Sequence, residues 1–213
     1  MKKDRLSFVV IILGLVMLAR DHLKRSLGDG IFNALGISPW TGENETGFHL
    51  SVILGLALLI TGVVWATKSY RSWYPQVLSR IIMVCIAFIF IFPVATEKLM
   101  FLQKHNSSGA ASFDYVKSDS RCHVQVKEHG AIANCSFTFY NYGKEEKITI
   151  KPILSKGYED IDFKAKDLTL QPHAKVEVNA NFYSNQNYGT WFTGNYQDIG
   201  AEIEVNGTKK KYE

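Results

Sequence analysis

Nothing in the chain has the spacing of a catalytic or metal-binding motif. Six histidines, at positions 22, 49, 105, 123, 129 and 173, are scattered, and no two have the spacing of a helical or finger-like metal site. A glycine-rich phosphate loop, a Gly-x-Ser-x-Gly elbow and a haem-attachment pattern are all missing. The expectation is therefore a non-enzyme, with no catalytic residue, no metal and no cofactor. Charge of one sign is scarce as well: the formal net charge is +4, and the basic residues are spread instead of forming a stripe, which argues against nucleic acid as a partner. The densest basic run, Lys209 to Lys211, reads as a solvated strand end. Of the three cysteines, Cys85 lies in an apolar run and reads as a small packing residue.

What is present divides into unlike halves. Three concentrated apolar runs fill the chain up to Phe101; from Gln103 onward apolar residues alternate with Lys, Asp, Glu, Asn and Thr. The clearest run, Phe48 to Ala66, matches the ~20 residues needed to cross a bilayer core. A second, Ile81 to Thr96, is extended by Leu78 and by Leu99 to Leu102, with Pro93 placed to kink it near its end. The first run, Leu6 to Ala19, follows Lys2, Lys3 and Arg5 like the start of a signal peptide. Met17 spoils the small-residue pattern that cleavage at Ala19 would need, so an uncleaved span is preferred. The expected organisation is a membrane domain over 1–102 with spans at 6–22, 48–66 and 79–99, a linker over 103–110, and a β domain over 111–213. The lipid bilayer is then a partner. The loop from Arg20 to Gly47 reads either as a short amphipathic piece at the membrane interface, carrying Ile31, Phe32, Leu35, Ile37 and Trp40, or as an ordinary connection.

Orientation follows from basic residues in short loops. Lys2, Lys3 and Arg5 precede the first span, and Lys68, Arg71 and Arg80 lie between the second and third; these belong in the cytoplasm. A multi-pass cell-membrane protein results, with a cytoplasmic N-terminus and an extracytoplasmic C-terminal domain. The span centres carry no Asp, Glu, Lys, Arg or His, which disfavours a small transporter. Gly55 and Gly62 permit close helix approach, although their spacing of seven is not the four of the strongest association motif.

In the second half, strand signals recur near 112–117, 121–128, 131–140, 147–154, 166–170, 174–182 and 200–205, with a short one at 191–192. Alternation fixes which residues share a face. Cys122, Val124 and Val126 form one inward row and Cys135, Phe137 and Phe139 another, continued by Ile148 and Ile150, Leu168 and Leu170, and Val176 and Val178. If Cys122 faces Cys135 in a hairpin, Val124 faces Ala133 and Val126 faces Ala131, leaving Glu128 and His129 at the turn. Opposed strand residues lie within disulfide reach, so a Cys122–Cys135 disulfide is expected in an oxidising compartment; two reduced, buried thiols are the alternative.

The stretch from Ala133 to Phe182, with its CSFTFYNYGKEEKITIKPIL and LTLQPHAKVEVNANF segments, resembles small Ig-like β-sandwich domains displayed on bacterial surfaces. The resemblance implies an Ig-like antiparallel sandwich for the second half, so that, with the apolar runs, the expected fold is three transmembrane helices followed by that sandwich. It carries no catalytic motif and names no ligand. A disulfide between neighbouring hairpin strands also differs from the inter-sheet bridge of antibody domains.

The most distinctive segment is Phe182 to Asp198, FYSNQNYGTWFTGNYQD, which mixes rings with amides, hydroxyls and glycine. Such a mixture suits recognition, because aromatic side chains give rigid contact area while short amides adapt their hydrogen bonds. The candidate binding residues are Tyr183, Tyr188, Trp191, Phe192 and Tyr196; the plainer reading tucks some of these rings into the core. Asn-x-Ser/Thr patterns begin at Asn44, Asn106, Asn134 and Asn206, all outside in this topology. The expected function is surface interaction with an envelope protein or polysaccharide. The alternative is an accessory subunit that joins a larger membrane complex through its helices.

Overall fold

The computed structural model describes residues 2–42, 46–154, 161–186, 188–189 and 191–212. The chain forms two compact units, Met1–Lys98 and Leu99–Glu213. In the first, α1 (Lys2–Leu18), α2 (Leu27–Ala34), α3 (Leu50–Tyr70) and α4 (Val77–Gln103) follow one another, the last turn of α4 counting with the second unit. Helices α3 and α4 are long and apolar enough to cross a membrane; α1 is apolar but shorter.

Helix α1 stops earlier than the expected 6–22 because Asp21 turns the chain. Its Oδ1 accepts from the backbone N–H groups of Leu23 and Arg25, both at 2.9 Å, and its Oδ2 meets the Arg25 guanidinium at 3.0 Å. The loop doubles back so that Leu27 N–H donates to Ala19 O at 3.0 Å. Ser26 then caps α2, its Oγ accepting from Asp29 N–H at 3.2 Å.

Small residues let α1 and α3 approach closely. A Cβ added at Gly14 would sit 2.6 Å from Leu59 N and 2.9 Å from Gly55 O, and one at Gly62 would sit 2.9 Å from Ile11 N. Buried Ser51, Gly55, Gly62 and Ala66 lie on one stripe of α3. The spacing of four is present after all, in Ser51–Gly55 and in Gly62–Ala66. Ile11 and Leu15 of α1, Ala66 of α3 and Val77 and Ile81 of α4 make the small core of this unit.

The second unit holds β1 (Phe113–Tyr115), β2 (Arg121–Lys127), β3 (Gly130–Asn141), β4 (Lys147–Ile153), β5 (Lys166–Thr169), β6 (Ala174–Ser184), β7 (Phe192–Gln197), β8 (Gly200–Val205) and β9 (Thr208–Tyr212). They pair into two antiparallel sheets: one in the order β1-β3-β2-β7 with β6 on the other edge of β3, the other in the order β5-β4-β8-β9. The inward rows of both sheets enter one core, where Phe137, Phe139, Phe182, Ile150, Leu170 and Ile203 are almost fully buried. Cys122 pairs with Cys135, Val124 with Ala133 and Val126 with Ala131, and the two cysteines are bridged.

Two strands depart from expectation. β7 runs to Gln197 instead of ending at 192, because Phe192, Gly194 and Tyr196 pair along β2. The lysine triplet is a full strand, β9, paired with β8. Its alternation is decisive: Lys209 and Lys211 sit opposite Glu204 and Glu202, while Lys210 reaches Asp114 Oδ1 at 3.2 Å. Asp114, 6% exposed, also meets Lys104 Nζ at 2.8 Å. Burial pushes its carboxyl pKa up, but the bonds and charges of Lys104 and Lys210 outweigh that, and the net shift is downward.

Candidate functional site

The outward side chains of β6, β3, β2 and β7 stand in register across the larger sheet. One row is Asn179, Ser136, Arg121 and Gln197; the next is Asn181, Asn134, His123 and Asn195; the third is Tyr183, Ile132, Gln125 and Thr193. Asparagine is depleted in strands, because its short amide competes with the backbone ladder, so a concentration of amides on one sheet face is unusual. Asn134, Asn179, Asn181 and Asn195 are all exposed.

Hydrogen bonds order part of this face. Gln125 Nε2 lies 3.1 Å from His123 Nε2, and His123 Nδ1 lies 2.8 Å from Asn195 Oδ1. With the amide NH2 of Gln125 donating, Nε2 accepts and Nδ1–H donates to Asn195 Oδ1. The Asn195 amide nitrogen is left as a further donor on this exposed face. Ser136 Oγ donates to Glu177 Oε1 at 3.0 Å beyond the first row. A shallow depression of about 450 Å³ lies over the two Asn-rich rows. A second, of about 420 Å³, follows beside Gln125, His129, Ile132, Tyr183 and Trp191.

The five aromatic candidates divide. Trp191 and Tyr183 are 76% and 51% exposed, and they line the same depression. Phe192 and Tyr196 alternate to the other side of β7 and pack against the core. Tyr188 is half-buried against the same core, and its hydroxyl shares a 2.6 Å hydrogen bond with Ser184 Oγ and donates to Gln186 Oε1 at 3.0 Å. The structure thus brings two of the rings to one surface and adds the amide rows, of which only Asn195 and Gln197 come from the aromatic segment. Parity could have found them: Asn134 and Ser136, and Asn179 and Asn181, occupy alternate positions opposite the apolar rows.

The helical unit holds a second polar cluster that sequence spacing did not show. Asp29 Oδ1 accepts from His49 Nε2 at 2.7 Å and from Ser51 Oγ, and Trp40 stacks on the His49 ring at 4.1 Å. Burial raises the Asp29 carboxyl pKa, yet the bonds from Ser51 and His49 prevail and hold it below the ordinary value. The serine hydroxyl is engaged by the carboxylate instead of the imidazole, so the cluster lacks the geometry of an activated nucleophile. Its effect is to tie α2 to the start of α3. Among the described residues no group of three or more His, Cys, Asp or Glu side chains could hold a metal ion.

No protein-family model, no curated protein and no solved structure matches the chain. The function is therefore argued from this geometry.

Proposed function

We propose that the protein is a multi-pass cell-membrane protein whose β unit is an Ig-like, extracytoplasmic sandwich that binds an envelope component without catalysing a reaction. In this reading α1, α3 and α4 are the three spans. The expected 6–22 span becomes the shorter α1, held against α3 by its glycine seam, and the basic loop containing Lys68, Arg71 and Arg80 lies in the cytoplasm. The observation that carries the recognition role is the exposure of Trp191 beside Tyr183 on a sheet face whose other side chains are mostly neutral and polar. Trp191 immediately precedes β7 and Tyr183 stands on β6, and exposed large rings held at a sheet are inexpensive anchors, since little entropy is lost when they are covered.

The accessory-subunit reading has less support, because Gly55 and Gly62, which motivated it, are already filled by α1 of the same chain. A photo-cross-linking residue at position 191 of the full-length protein in intact membranes tests the recognition role. The expected result is a discrete envelope adduct that disappears when Tyr183→Ala is added. Adducts with lipid alone would contradict the reading.

A further inference from the structure

The outward faces of the two sheets differ in their middle rows. On the smaller sheet, Lys151, Glu202 and Lys211 stand in one row and Asp167, Thr149, Glu204 and Lys209 in the next. Lys209 Nζ meets Glu202 Oε1 at 2.8 Å and Glu204 Oε2 at 3.8 Å, and Lys151 pairs with Asp162. Such alternating charge is what a solvated, non-sticky sheet surface requires. The three middle rows of the larger sheet contain no carboxylate and one guanidinium (Arg121), with His123 held between Gln125 and Asn195; the same face is charged beyond them, at Lys127 on one side and at Glu177 and Lys175 on the other. Amides take the place of the charges.

We infer that this amide face binds an uncharged polysaccharide strand, with Trp191 and Tyr183 covering a sugar ring at one end. The inference rests on the recognition reading above and narrows its ligand. Each Asn or Gln presents a donor and an acceptor side by side, which matches the neighbouring hydroxyls of a sugar. An exposed indole offers the flat apolar surface that the C–H face of a sugar ring needs. A polyanion such as nucleic acid would call for a row of Lys and Arg, which these rows lack. A protein partner would call for a more apolar centre, whereas the centre here is Asn134, Asn181 and His123. The rows span about 14 Å along the strands and about 14 Å across them, by ordinary strand dimensions. That exceeds one sugar ring and suits a chain.

The test uses the full-length protein in detergent micelles, titrated calorimetrically with cellopentaose, with the pentamer of N-acetylglucosamine, with the corresponding monosaccharides, and with pentagalacturonate as a charged control. The expected result is saturable binding of a neutral pentamer, at least tenfold tighter than its monosaccharide and than pentagalacturonate. Asn134→Ala with Asn181→Ala, and separately Trp191→Ala, each weaken it tenfold or more, while Lys211→Ala on the opposite sheet leaves it unchanged. Asn195→Ala, at an exposed position, serves as a second variant if the pair fails to fold. No binding of either neutral pentamer, or tighter binding of the polyanion, overturns the inference. If the position-191 cross-link still captures a protein, recognition stands and only the polysaccharide assignment falls; if it captures lipid alone, both fall.

Discussion

Asp114 shows how a single buried charge is held. Lys104 approaches from the end of α4 and Lys210 from β9, so the carboxylate has two cationic donors. Its pKa is depressed in the folded state; the stability it contributes is present above the ordinary carboxylate value near 4 and is lost as pH falls through the lower, folded value. Asp114→Asn should cost about 1–3 kcal/mol at neutral pH, the usual scale for a hydrogen bond to a charged group. The difference from the parent should shrink as pH falls below about 4, where the unfolded state takes up the proton first, and level off once pH is below the lower folded value. Urea unfolding across pH reads this directly, and a difference that does not shrink at acid pH would refute the ion-pair account. Sequence alone does not reveal the arrangement, since Asp114 and Lys210 are separated by nearly the whole β unit.

Among the elements, the α1–α3 seam is the most sharply constrained. A side chain at position 62 would enter the backbone of α1 at Ile11, whereas a Cβ at position 30 meets nothing within 4 Å. Gly62→Leu should destabilise the helical unit by about 1–3 kcal/mol, the scale of overpacking. Gly30→Ala, inside α2, should be neutral or stabilising by a few tenths of a kcal/mol to about 1 kcal/mol. Thermal unfolding in detergent distinguishes the two, and equal shifts would contradict close packing. Seven strands, β1 to β6 and β8, were legible in the sequence because the strand period is two and the core rows Cys135, Phe137, Phe139 and Ile148, Ile150 keep it. β7 was not, because Gly194 and Asn195 weaken its apolar alternation; it exists through pairing with β2. β9 was hidden by its lysines, whose partners are glutamates on β8 and a buried aspartate on neither strand.

For the whole molecule, the proposed orientation makes a labelling prediction. A cysteine placed at Arg71, in a chain whose Cys85 is changed to Ala, should resist a membrane-impermeant maleimide in intact cells and react after lysis. One placed at Lys117 should react in both, and the reverse pattern would invert the topology. The division into apolar and alternating halves, the two long apolar helices and the Cys122–Cys135 pairing were determined by the sequence itself, because hydropathy and strand parity are local properties of the chain. The tertiary structure decided the rest. It turned Phe192 and Tyr196 inward, left Trp191 and Tyr183 outside, and assembled asparagines from β3, β6 and β7 into a single face. Those outcomes depend on which strands become neighbours, and that is set by the burial of a shared core between two sheets, which no short window of sequence contains.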